Sequence, residues 1–328
     1  MQRTFGVALN PETQLMHCMG IKAALSILPH CFVDPGDLVL WPVPSYPIGG
    51  VHARFCGGTL HELPLLADNG FLPDLASLTP AVAQAAKVLF LNYPHNPTGA
   101  QATLAFFQQA VALAHRYGWL IIQDAAYAGL VHPGQKPLSI LSVPGALEVA
   151  VELHSLSKPY NMTGWRLGWV CGAAHAVKAY THVKEQTDSG QFLPIQWGGI
   201  AALQDDAFPQ ACAKLYAQRL ADLLHVLGHS GWHLPVERRP RAGFFLYMPA
   251  PAQATHSSGQ CVSFATAQDC TEWLITELGI VAVPWDELQP SVRFAVTWGQ
   301  DEVDFIQQLA ARLQGWSFHG LLSGPYAS

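Results

Sequence analysis

As far as residue 205, short apolar runs alternate with longer stretches of helical spacing, and no other feature of the chain restricts its fold as much. The strand-like runs are 38–41, 58–63, 87–91, 119–123, 150–154 and 167–171. Between them, 104–117 sets Leu104, Phe107, Val111 and Ala114 at helical spacing, and 174–184 and 195–204 also read as helices. Gly20-Ile21-Lys22 opens a further helical run over 23–32. Buried strands separated by helices pair in parallel, because a parallel connection must cross back over the sheet. The expectation is an α/β fold: a mainly parallel sheet with helices on both faces. From Asp206 the rhythm changes. A long helix over 210–227 leads to a strand over 244–248, a polar loop over 252–259 and a helix over 267–278. Strands over 280–283 and 292–296, a helix over 301–313 and a loose tail over 317–328 follow. This predicts a large domain over 1–205 and a smaller α+β domain over 206–328.

Half of the residues are apolar and only 12% are charged, against roughly 25% in ordinary soluble domains. Such a chain is expected to hide surface in an oligomer. The net charge of −6 without a long basic run argues against nucleic-acid binding. Arg238, Arg239 and Arg241 read as a solvated turn. No apolar run is long enough for a membrane span and no start resembles a signal peptide, so a cytoplasmic protein is expected. The seven cysteines are odd in number and lack Cys-x-x-Cys spacing. Buried, reduced thiols are expected rather than a disulfide framework or a zinc site. The histidines are scattered, and no metal is expected.

Polar residues close three of the apolar runs. Asn92-Tyr93-Pro94-His95-Asn96-Pro97-Thr98-Gly99 follows 87–91, Asp124-Ala125-Ala126-Tyr127 follows 119–123, and Ser155-Leu156-Ser157-Lys158 follows 150–154. Open α/β sheets place ligands at such carboxyl ends. Arg166 comes eight positions after Lys158. A lysine at a strand end, ringed by hydroxyls and one cation, suits a Schiff base to a phosphorylated aldehyde. Its amine must lose a proton to attack a carbonyl, and burial beside another cation favours the neutral form. A guanidinium holds phosphate through paired hydrogen bonds. Taken alone, a Ser-x-x-Lys is more often a surface lysine, and Gly20-Ile21-Lys22 is equally an ordinary helix start or a phosphate-binding one.

In combination these segments resemble the class I/II aminotransferases of fold type I, over nearly the whole chain. That resemblance implies pyridoxal 5′-phosphate as cofactor, with Lys158 as its Schiff-base lysine. It implies that Asp124 faces the pyridine nitrogen, and that Asn96 and Tyr127 bond the phenolic oxygen. Tyr46 would stack on the ring. Ser155, Arg166 and the turn at Ile21 and Lys22 would hold the phosphate. Arg293 would clamp the substrate α-carboxylate, with Asn96 beside it. Within the family, 154–166 and 183–192 are most like the LL-diaminopimelate aminotransferases, which implies 2-oxoglutarate and glutamate as the exchange pair. Shared active sites in the family imply a homodimer, with Asp188 to Phe192 reaching the neighbouring site.

The chain departs from the family at two places. Its opening, Arg3 through Thr13, resembles a point well inside the family sequence, so several dozen residues that carry a lid and a tyrosine are expected to be missing. The loop 284–290 is shorter than usual. Two other functions follow from these departures: an alanine-type aminotransferase or C–S lyase of the same fold, and a non-catalytic remnant that binds the cofactor.

Overall fold

The structure, a computed structural model, describes residues 1–188, 190–299 and 302–324. Ser189 of the segment expected to reach a neighbour, Asp301 of the last expected helix and 325–328 of the tail lie outside the described residues. The chain divides into two compact units, Met1–Asn96 with Ala100–Ala213, and Pro97–Gly99 with Lys214–Ser328.

The first unit is built on a seven-stranded sheet. In chain order its strands are β1 (Leu15–Cys18), β2 (Leu38–Val43), β3 (Thr59–Pro64), β4 (Ala86–Asn92), β5 (Leu120–Asp124), β6 (Ala150–Ser155) and β7 (Gly168–Gly172). Their order in space is β1-β7-β6-β5-β4-β2-β3. From β2 to β6 every pairing is parallel, and β7 runs against both β6 and β1. Each expected run is a strand, with bounds moved by one or two residues. β1 was not anticipated, because four residues that grade from exposed to buried carry no alternation to read.

Burial on both faces marks the central strands: every residue of β5 and β6 is buried, the polar Gln123, Glu152 and His154 among them. The helix Leu104–Tyr117 buries Phe106, Phe107, Ala110, Val111 and Ala114 in a core shared with Leu89, Leu91, Trp119 and Ile121. Leu104, expected on that apolar face, is instead exposed at its first turn. Thr103 Oγ1 accepts from Phe106 N at 3.1 Å to start this helix, and Gly118 in left-handed conformation ends it. One carboxylate lies wholly inside. Glu152 on β6 accepts from Ser139 Oγ and Ile140 N, both at 2.8 Å, and lies 2.6 Å from His154 Nε2. The imidazole stacks on Trp169 with ring centroids 5.3 Å apart.

In the second unit β8 (Phe245–Pro249), β11 (Val283–Trp285) and β12 (Ser291–Ala295) form one antiparallel sheet, ordered β11-β12-β8. A second antiparallel sheet, ordered β10-β9-β13, comprises β9 (Gln253–His256), β10 (Cys261–Ser263) and β13 (Trp316–His319). The helices Ala267–Leu278 and Glu302–Leu313 belong to this unit, and the helix Ala207–His229 contains the division at Ala213. Three expectations are corrected here. The polar stretch 252–259 contains β9, which pairs on both sides despite its polar composition. The tail is ordered as β13 through His319, because that strand completes the β9 ladder. The strand expected over 280–283 begins only at Val283, because Ile280 N still bonds Leu274 O at 2.9 Å and so belongs to the preceding helix end.

All seven cysteines are free thiols, but Cys261 is exposed, against the expectation that they are buried. Two histidines, His225 and His229, stand one helical turn apart with rings 4.3 Å from centroid to centroid, and His229 Nδ1 lies 2.8 Å from the His225 carbonyl. Among the described residues no helix is long and apolar enough to cross a membrane.

Candidate active site

The carboxyl ends of β4, β5 and β6 finish side by side. Asn92 pairs in register with Asp124, and Asp124 with Leu153. Beyond these pairs the backbone groups need other partners. Asn92 Nδ2 donates to Asp124 O at 3.0 Å, Tyr93 N donates to the same carbonyl at 3.1 Å, and Asn92 Oδ1 accepts from Asn96 N at 3.0 Å. One amide side chain therefore ties the loop carrying Asn96 to the strand end carrying Asp124. Asn96, Asp124 and Tyr127 are all buried.

The Asp124 carboxyl is pushed up to about 6, first by burial. The bond from Ala126 N to Oδ1, 3.0 Å long, and the charges of His154 and Lys158 pull the other way. Tyr46, half-buried after β2, has its phenol raised by burial and then by the Asp124 charge, while Arg166 lowers it. Tyr46 thus lies in the field of both groups.

Ser155 is the last residue of β6, and its Oγ accepts from Ser157 N at 3.0 Å. Thr163 Oγ1 donates to Ser157 O at 2.8 Å, which draws the turn after Lys158 back on itself. Lys158 is half-buried in this turn. Arg166 takes a left-handed conformation, φ 54°, and points its guanidinium at Thr163 O (2.8 Å) and Met19 O (3.5 Å). Gly20 takes a φ of 75°, a conformation that favours glycine, and a Cβ there would press on the Arg166 guanidinium. Gly20 also starts the helix Ile21–Phe32, which among the described residues has no side-chain cap. Its first amide N–H groups, at half-buried Ile21 and exposed Lys22, have no partner within the helix. A hydroxyl, a guanidinium and an uncapped helix start on adjoining turns suit a phosphate. A buried acid and an amine at neighbouring strand ends suit the ring nitrogen and the aldehyde of pyridoxal 5′-phosphate. The residues present fit that group.

The first unit therefore carries Asp124 and Ser155 at the ends of β5 and β6, and Ile21, Lys22, Tyr46, Asn96, Tyr127, Lys158 and Arg166 after β1, β2, β4, β5 and β6. Arg293 belongs to the second unit. It is half-buried on β12 between Tyr247 and Val283, with its guanidinium 4.1 Å from the Phe245 ring centroid and 5.9 Å from that of Trp285. Two contributors were not foreseen. Asn92 was visible only as a polar residue closing an apolar run. Gln191, expected to reach a neighbouring subunit, turns into its own chain: its buried Nε2 donates to Arg166 O and, at 3.3 Å, to Trp165 O.

A family profile described as aminotransferase class I and II matches residues 1–308. The LL-diaminopimelate aminotransferase of Methanocaldococcus jannaschii is 42% identical over 296 residues, which are 90% of this chain and 69% of that protein. The LL-diaminopimelate aminotransferase of Syntrophobacter fumaroxidans is 40% identical over 325 residues, 97% of this chain and 79% of that protein. Among solved structures, substrate-bound BacF from Bacillus subtilis superposes with a TM-score of 0.87 at 30% identity, covering 98% of this chain and 79% of that one.

Proposed function

The chain belongs to the class I and II aminotransferase family, which uses pyridoxal 5′-phosphate, and we propose that it moves an amino group between LL-diaminopimelate and 2-oxoglutarate, as in lysine biosynthesis. Support for the chemistry is the strand-end set of Asp124, Ser155 and Lys158 with the Arg166–Gly20 cradle. Support for the substrate is that relatives 40–42% identical carry that activity in their names.

The cofactor supplies the electron sink that allows the Cα–H bond of an amino acid to break. Lys158 would hold the cofactor, and its Nζ would be the group that takes the Cα proton. Asp124 keeps a proton on the pyridine nitrogen, because its buried carboxylate is relieved by a positive neighbour. Asn96, Tyr127 and Tyr46 would hold the cofactor ring. Ser155, Arg166 and the backbone at Ile21 and Lys22 hold the phosphate. Arg293 would pair with the substrate α-carboxylate and so orient the bond to be broken.

The working form is a homodimer in the cytoplasm. A run of apolar side chains supports the dimer: Phe192, Leu193, Trp197 and Ile200 are exposed along the helix Leu193–Ala202, at 70%, 58%, 62% and 48%. Free thiols at all seven cysteines agree with a reducing compartment.

Glutamate formation from 2-oxoglutarate, measured side by side with LL-diaminopimelate and with L-alanine, tests the substrate. The higher kcat/KM is expected for LL-diaminopimelate. Equal rates, or release of a thiol from a cysteine conjugate as the main reaction, would remove this substrate while leaving the family intact.

A further inference from the structure

Arg166 is held in place by a segment outside the strand-end set. Its left-handed backbone, φ 54°, is one that a residue with a Cβ keeps only when its surroundings impose it. In that conformation the carbonyls of Trp165 and Arg166 both meet the side-chain amide of Gln191. Nε2 donates to Trp165 O at 3.3 Å, and its bond to Arg166 O is the closer of the two. The amide is buried, and among the described residues its Oε1 has no partner, so this group acts toward the chain as a donor.

Gln191 is itself held from the downstream side of the chain. Gln196 Nε2 donates to Gln191 O at 2.8 Å. Upstream, Lys184 Nζ pairs with the Asp188 carboxylate, and Asp188 N donates to Lys184 O at 2.8 Å. The Lys184 side chain is 3% exposed, so this is an interior pair that fixes the end of the helix Ala174–Thr187 and not a loose surface contact. The Arg166 backbone, seated by Gln191, sends its guanidinium to Thr163 O and Met19 O, beside the uncapped helix start at Gly20. Gln191 is neutral and directed at main-chain carbonyls, so no proton or charge of the reaction passes through it.

We propose that Gln191 is a positioning residue for the phosphate grip: by fixing the Trp165–Arg166 backbone it sets how much more tightly the chain holds pyridoxal 5′-phosphate than phosphate-free pyridoxal. The proposal rests on the reading of Arg166 as a phosphate ligand. Gln191→Met keeps the size and removes both donated bonds. Gln191→Glu sets carboxylate oxygens against two carbonyl oxygens and should act more strongly.

The test compares dissociation constants of pyridoxal 5′-phosphate and pyridoxal, measured by equilibrium dialysis on the cofactor-free full chain and its variants. In Gln191→Met the phosphorylated form should bind about tenfold more weakly while pyridoxal changes by less than about twofold. Gln191→Met should add nothing further in an Arg166→Ala background, because the group it positions is gone. Equal weakening of both ligands, or an unchanged ratio, would overturn the proposal. Gln196→Met, at a half-buried helix position, loosens the same brace more gently and should give a smaller loss of the same selective kind. An equal loss for both ligands there has the same adverse meaning, and it serves if the Gln191 variants do not fold. The two readings separate cleanly. If Arg166→Ala leaves the ratio unchanged, the phosphate assignment fails. If Arg166→Ala collapses the ratio and Gln191→Met does not, only the positioning role fails.

Discussion

Asp124 shows how a single buried carboxyl costs stability at neutral pH. Its carboxyl is pushed up to about 6 in the folded chain, from an ordinary 3.8, chiefly because burial penalises the charge. Below 3.8 the group is protonated folded or unfolded, and nothing is lost. As pH rises toward 6, the unfolded chain ionises first and the folded chain holds its proton, so stability falls through that window. Asp124→Asn removes the charge and keeps an oxygen for Ala126 N. In the cofactor-free protein this substitution should raise stability at pH 7 by on the order of 2–3 kcal/mol, with the gain disappearing below pH 4. Urea unfolding at both pH values checks this, and the same variant should lose transamination. Arg293 carries the complementary expectation. Loss of a desolvated pair with a substrate carboxylate costs on the order of 2–5 kcal/mol, so Arg293→Ala should lower kcat/KM by roughly a hundredfold for amino and oxo acids alike. Cofactor absorbance should persist in Arg293→Ala, since the residues proposed to hold the phosphate are others.

Strand ends carry the residues proposed to react, and what fixes the strands therefore bears on the site. Glu152 stands three residues before Ser155 and binds β6 to the turn at Ser139 and Ile140. Glu152→Leu leaves two donors and His154 without their acceptor, and should cost about 3–5 kcal/mol in urea unfolding. Elements such as β4, β5 and β6 were legible in the sequence because burial on both faces makes them rich in apolar residues, though Lys87, Gln123, Glu152 and His154 interrupt the runs. The polar residue that ends each run, Asp124 or Ser155, then stands out. Short strands offered no such contrast: β1, β9 and β13 alternate poorly, and β1 and β13 owe their structure to partners far away in the chain. Asn92 and Gln191 were hidden for a related reason. Their amides serve main-chain carbonyls, Gln191 across 25 positions, and no local pattern marks which carbonyl a glutamine will meet. Lys158 and Arg166, by contrast, belong to one turn of chain and could be read together.

At the scale of the molecule, exposed Trp197 lies in the middle of the apolar face proposed to meet a second copy. Trp197→Asp places a charge there and should convert a dimer into monomers in sedimentation, since a desolvated unpaired charge at an interface costs several kcal/mol. A wild-type monomer with full cofactor occupancy and activity would remove the shared-site arrangement. The central claim, that this chain is an aminotransferase working through Lys158, can be checked by chemistry at one atom. Borohydride reduction of the protein with bound pyridoxal 5′-phosphate, followed by peptide mapping, should give one pyridoxyl adduct, on Lys158, and none in Lys158→Ala. An adduct of equal yield on another lysine in Lys158→Ala, or none in the wild-type chain, would contradict it.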